Sequence, residues 1–284
     1  MRKILKIVWD VFLYSGSLLA IGLVCTVAVT ALLLGVRLTW DFAVIAYCVS
    51  LSPCLFGWYV NLKKDSLTNP DRSEYLNKQA TYIPFLLLFL SVVAIIIIVF
   101  FRKYDILVFS AGLVMLSALY DLALKKLTRY IPGFKNYYIS MLFTLLSVMM
   151  IVYYRTPINT STFIVLGFIY IMIVVGTGFS DIKDEASDRK DGLRTFAVIL
   201  DRKKLLMLYS ILSMFASSLI VYGVRHDILP TFAIALTLTA VYNFILFYFS
   251  LKKKADMYFL TNVVCDAQLI FWLVFVVIGK LVLS

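Results

Sequence analysis

Apolar residues in this chain come in unbroken runs divided by short charged segments, with little of the strict alternation that marks half-buried strands. The runs lie near residues 11–34, 42–60, 82–101, 106–122, 137–154, 163–179, 205–221, 228–251 and 257–282. Each is close to the ~20 residues that an α-helix needs to cross a bilayer. The first run, at ~24 residues, exceeds the ~7–15 of a signal-peptide apolar region and reads as a span. The pattern predicts an all-α membrane protein, a bundle of about nine transmembrane helices around a central cavity. No internal repeat or linker divides it, so residues 1–284 read as a single transmembrane domain.

Composition agrees and excludes two alternatives. The chain is 62% hydrophobic and only 15% charged, with a mean hydropathy of +0.95. Soluble domains carry roughly 25% charged residues, and disorder requires low hydrophobicity. The net charge of +11 raises the question of nucleic acid. Its distribution answers it. With nine spans, 21 of the 27 Lys and Arg fall on the side of the amino terminus, and six on the other. That bias predicts a cytoplasmic amino terminus and cytoplasmic motif loops, and nucleic acid need not be invoked. Cys25, Cys48, Cys54 and Cys265 all lie in apolar runs and form no CxxC pair, so they read as buried hydrophobes. His226 is the only histidine, which leaves little for a His pair or a Ser-His triad.

Carboxylates cluster at two span ends on the cytoplasmic side. After the sixth run stand Asp181, Asp184 and Asp188, three and four apart, a spacing that stacks them on one face of a helix. Like charges so placed repel, and a cation relieves them. Oxygen-only ligands suit Mg²⁺. After the second run, Asn61 and Asp65 are four apart. The bland reading of either cluster alone is a solvated loop; two of them, on one side and each ending a long apolar helix, point to a shared site. Asp266 and Gln268 sit inside the ninth run, where an ionisable group is costly. One reading of them is an interhelical hydrogen bond to Asn243 or Asn262; another, for Asp266, is the acceptor end of a cavity.

Three segments together resemble the UbiA superfamily of intramembrane prenyltransferases. Asp181-Ile-Lys-Asp184-Glu-Ala-Ser-Asp188-Arg189, with Gly192 and Thr195 beyond, is similar to that family's second motif, DxxDxxxDR. Tyr120-Asp-Leu-Ala-Leu124-Lys125 is similar to YSxxLK, with Asn136 downstream. Asp65 to Arg72, with Pro70, is similar to the DxxxxPxR that closes the first motif. The first motif departs from its usual NDxxDxxxD. If Pro70 and Arg72 fix the register, Asn61 stands for the middle Asp, and Trp58 and Gly57 for the leading pair. If Asn61 is the leading Asn, Asp65 is the middle Asp, and Leu62 and Asn69 replace the others. Two carboxylates are lost in either register.

The resemblance implies Mg²⁺-dependent transfer of a prenyl group from an isoprenoid diphosphate to a lipophilic acceptor, aromatic or polar-lipid, within the membrane. It implies Asp181, Asp184 and Asp65 as catalytic. Asn61, Asp65, Asp181, Asp184 and Asp188 are the implied metal ligands, and Arg72, Tyr120, Lys125, Arg189 and Asn136 the substrate contacts. The eroded first motif leaves open a terpene cyclase or a phosphosugar transferase acting on polyprenyl phosphate. A catalytically inactive scaffold or transporter is the alternative from another class.

Overall fold

A computed structural model describes residues 2–62, 66 and 68–283. Every regular element among them is helical. In chain order the helices are α1 (Arg2–Tyr14), α2 (Ser17–Leu33), α3 (Trp40–Val60), α4 (Pro70–Gln79), α5 (Ile83–Phe100), α6 (Tyr104–Leu122), α7 (Phe134–Tyr154), α8 (Thr160–Ser180), α9 (Glu185–Lys190), α10 (Phe196–Ile199), α11 (Arg202–Arg225), α12 (Thr231–Ser250) and α13 (Met257–Leu283). Eight of them, α3, α5, α6, α7, α8, α11, α12 and α13, are long and apolar enough to cross a membrane. The shorter apolar helix α2, of 17 residues, completes a bundle of about nine.

The first apolar run is not one helix. Gly16 takes φ +83°, a left-handed conformation that ends α1 and restarts the chain as α2. A hydropathy window averages across this break and also misses the mixed polar and apolar residues of α1. The run at 228–251 starts later than expected, because Pro230 precedes the helix and its first turns, Thr231–Thr237, are wound as a 3₁₀ helix.

The core lies where α2, α3, α7, α8 and α13 meet. Leu23, Phe42, Met149, Phe168 and Trp272 are fully buried there. Helices in lipid gain little from burying apolar area, so they associate through close packing and small residues. A Cβ on Gly22 of α2 would stand 2.9 Å from Leu269 of α13. The Thr30 hydroxyl donates to Ser147 of α7 at 3.0 Å. Phe85, Leu88, Phe89 and Ile96 of α5, and Met207, Ile211 and Met214 of α11, are exposed on the outside of the bundle. These are the side chains that a bilayer would cover.

Successive spans alternate in direction, so one end of the bundle gathers the last turns of α3, α6 and α8 with the first turns of α7 and α13. At the other end, Tyr153 donates to the buried Asp41, and the backbone N–H of Thr39 donates to the Tyr154 hydroxyl at 2.8 Å. That end is closed by hydrogen bonds between helix termini, and the first end is hollow.

Candidate active site

The hollow end holds a cavity of about 310 Å³. Its mouth is charged: Arg72, Asp121, Lys125, Lys135, Asp181, Lys183, Asp184 and Asp188 line it. Its floor is largely apolar, with Leu19, Leu142, Phe143, Met172, Ile173 and Leu269. Asn61, Arg72, Tyr120, Lys125, Asp181, Asp184 and Asp188, all singled out in the sequence, converge on this one space. Two do not line it. Arg189 is turned outward, donating to Glu185 at 2.8 Å and to the Val198 carbonyl. Asn136 lies beneath the wall, donating to Asp181 at 2.8 Å, and acts on the cavity through that carboxylate. Asp65 falls outside the described residues.

The second acidic segment is not the continuous helix expected from its spacing. α8 ends at Ser180, a turn carries Asp181 to Asp184, and α9 starts at Glu185. The three carboxylates do not share one open face either. Lys135, from the first turn of α7, donates to Asp181 and lies 3.8 Å from Asp188. The cation that relieves their repulsion here is an ammonium. Asp184 differs. It is 3.8 Å from Lys183 Nζ, and its Oδ1 is buried without a hydrogen-bond partner among the described residues. Burial pulls the Asp184 carboxyl up, but Lys183, Lys135, the Thr68 hydroxyl and Arg72 outweigh it and hold it below the usual range. At Asp181 burial wins over Lys135, with Asp188 adding to it, and the carboxyl is raised.

The first motif is built from a different set of residues than the sequence suggested. Asn61 donates to the Gly57 carbonyl at 2.7 Å and to Asp121 at 3.2 Å, and its Oδ1 accepts from Lys125 at 2.8 Å. A Cβ on Gly57 would lie 2.7 Å from the Asp121 carboxylate. Glycine there makes room for an acid from α6, in a motif that has lost its own. The Arg72 guanidinium lies 4.1 Å over the Trp58 ring. Tyr120 is buried and stacks on Tyr138, with centroids 5.3 Å apart.

Among the described residues no three acidic, histidine or cysteine groups form a ready metal cage. That arrangement still fits Mg²⁺, which is commonly held by one or two carboxylates, waters and substrate phosphates. The orphaned Asp184 oxygen is the donor such an ion requires. The sequence profile of the UbiA prenyltransferase family matches residues 42–274. The chain belongs to that family. It is therefore a multi-pass membrane prenyltransferase, of a family that acts on isoprenoid diphosphates and generally uses Mg²⁺. Two solved structures share the UbiA fold. A UbiA homologue from Aeropyrum pernix K1, in its apo form, superposes with a TM-score of 0.67 at 15% identity, over 93% of this chain and 97% of that one. A digeranylgeranylglyceryl phosphate synthase superposes at 0.57 and 15% identity, over 99% and 98%. No curated protein matches the sequence.

Lys135, Lys183 and Asp121 carry no signal of their own in the sequence: the lysines read as topology charges, and Asp121 stands where the UbiA pattern has serine. Asp266 and Gln268 also line the cavity, and the interhelical bonds offered for Asp266 are not made. Asn243 donates to Ser213, and Asn262 donates to the Tyr258 carbonyl.

Proposed function

We propose that this enzyme transfers a prenyl group from an isoprenoid diphosphate to a lipophilic acceptor, aromatic or polar-lipid, at the cytoplasmic end of the bundle. The observation that carries this reading is one cavity with a charged mouth, where Arg72, Lys125, Lys135 and Lys183 stand among four carboxylates, and an apolar floor. A prenyl diphosphate has the same division: an anionic head and a hydrocarbon tail. Lys125, Arg72 and Lys183 are the residues assigned to the head. They stabilise the negative charge that grows as the C1–O bond breaks and its electron pair leaves with diphosphate. The departing group leaves an allylic cation, and a water-poor floor protects it until the acceptor attacks. Tyr120 supplies a π face there. Asp184 is the residue assigned to Mg²⁺, with Asp188 and Asp181 as neighbours. When bound, the ion neutralises diphosphate oxygens and makes it a better leaving group. Lys135 and Asn136 hold Asp181 in place beside it.

The test is turnover of radiolabelled farnesyl and geranylgeranyl diphosphates by the purified protein in liposomes. A 4-hydroxybenzoate and a prenylglyceryl phosphate serve as acceptors, the latter because one structural neighbour is a digeranylgeranylglyceryl phosphate synthase. Transfer is expected with Mg²⁺, to vanish in EDTA, and to fall about 10²-fold or more in Asp184→Ala. Turnover that ignores EDTA removes the metal from the scheme. Absence of turnover with every pair removes the prenyl transfer reading.

A further inference from the structure

α13 is not a regular helix. Its residues Leu260–Val264 form a π-helical turn, a feature concentrated at functional sites because it re-aims the side chains beside it. Directly after this turn come Asp266 and Gln268, both on the cavity wall. Asp266 lies nine residues into the span, or about 13 Å from its start. That is deeper than the motif residues at the span ends. Its carboxylate has no hydrogen bond or ion pair among the described residues, and a charge left so inside a bilayer is costly. Gln268 is fully buried, and its Nε2 has no partner either. A bare acceptor and a bare donor thus face one space from one helix. The diphosphate motifs use neither of them.

We propose that Asp266 is the catalytic base of this enzyme, taking the proton of the acceptor, and that Gln268 helps to orient the acceptor. The proposal rests on the prenyl transfer reading above. Any acceptor whose attacking atom carries hydrogen, a hydroxyl oxygen or an aromatic carbon, must lose that proton. The C1–O bond of the prenyl diphosphate breaks and its electron pair leaves with diphosphate. A bond forms from the acceptor atom to C1. The acceptor's bond to hydrogen breaks, and the proton passes to the Asp266 carboxylate, which returns it to water after product leaves. Placement between charged mouth and apolar floor suits this role. The groups that face Asp266 are Lys183 and Arg72 at the mouth, the thiol of Cys54 on α3, and that of Cys265 on α13 itself.

The experiment separates ionisation of the prenyl diphosphate from transfer. Wild type, Asp266→Asn and Asp266→Glu are compared in liposomes with Mg²⁺, using geranylgeranyl or farnesyl diphosphate and the better acceptor of the panel. Diphosphate release without acceptor, prenylated product, and binding of inorganic diphosphate are followed against pH. In Asp266→Asn, release and inorganic diphosphate binding are expected to stay within about twofold of wild type. Transfer falls about 10²-fold or more, and its acid-side dependence on pH disappears. Asp266→Glu recovers part of the transfer. Transfer at the wild-type rate with an unchanged pH profile in Asp266→Asn overturns the assignment. A parallel loss of release and inorganic diphosphate binding also overturns it, since Asp266 then belongs to the diphosphate end. If wild type releases no diphosphate with any acceptor present, the prenyl transfer reading itself fails and the base falls with it. In wild type alone, the ratio of product to released diphosphate is expected to drop as the pH is lowered; a constant ratio counts against the proposal without any variant.

Discussion

Lys135 shows how one side chain changes the meaning of a motif. Three aspartates in sequence suggest a waiting metal site, yet two of them share a lysine from another helix. Removing one partner of a buried ion pair strands the other charge, at a typical cost of about 3–5 kcal/mol. Lys135→Met is therefore expected to lower the Tm in detergent strongly, and adding Asp181→Asn to recover part of it. An unchanged Tm in the single variant would mean that the pair is not held in the folded protein. Gly57 gives a contrasting prediction, in activity and not in stability. The methyl of Gly57→Ala lands on the Asp121 carboxylate, displacing the acid that holds Asn61, which in turn positions Lys125. A displacement of this kind costs about 10²-fold in kcat/KM when the displaced groups serve the reaction. Thermal unfolding should barely move. Full activity in Gly57→Ala would separate this network from the chemistry.

Among the elements, α11 has the clearest local cause. Asp201 caps it, accepting from the Lys204 backbone N–H at 3.0 Å, with the Lys204 ammonium 3.1 Å away. The backbone N–H of Lys204, and then its side chain, hold the Asp201 carboxyl below the usual range. A carboxyl lowered by folding stabilises fully above its unfolded value, near ~3.9, and the contribution is lost as the pH falls through the lower folded value. The Tm difference between wild type and Asp201→Ala is thus expected to be complete at pH 7 and to close in strongly acid buffer. A difference that persists there would show that the carboxylate charge is irrelevant to the cap. Other elements take their form from tertiary packing. The break at Gly16 sits against Trp58 of α3, whose ring would be 3.1 Å from an added Cβ. The π turn of α13 lies beside Asn69, to which Asn262 donates at 3.4 Å. Neither has a composition that a window along the chain would flag.

On the scale of the whole molecule, the charge asymmetry and the alternation of spans make one joint prediction. By the 21-to-6 bias of basic residues along the sequence, the hollow end is expected to face the cytoplasm and the carboxyl terminus to lie outside. A reporter fused after Ser284 should read as external, and a cytoplasmic signal would reverse the bundle. The arrangement also explains why the site is open at one end. Loops on an aqueous face have water for their charges, and the proposed reaction requires that access for diphosphate to enter and leave.

The fold class was legible in the sequence because a bilayer imposes its own arithmetic: about twenty apolar residues per crossing, and basic residues held to one side. Spacing points to Asn61 and the three aspartates, the resemblance to the UbiA motifs adds Arg72, Tyr120 and Lys125, and all of these line the cavity. Spacing along a chain, however, governs only what shares a helix. Lys135 meets Asp181 across 46 residues of sequence, and Asp121 meets Asn61 across 60. Which acid is neutralised, which keeps a bare oxygen, and which helix replaces a lost carboxylate were decided where α3, α6, α7 and α8 converge. The same holds for Asp266. Its cost in the membrane was readable from the sequence, but only the bundle turned it toward the cavity and left it without a partner.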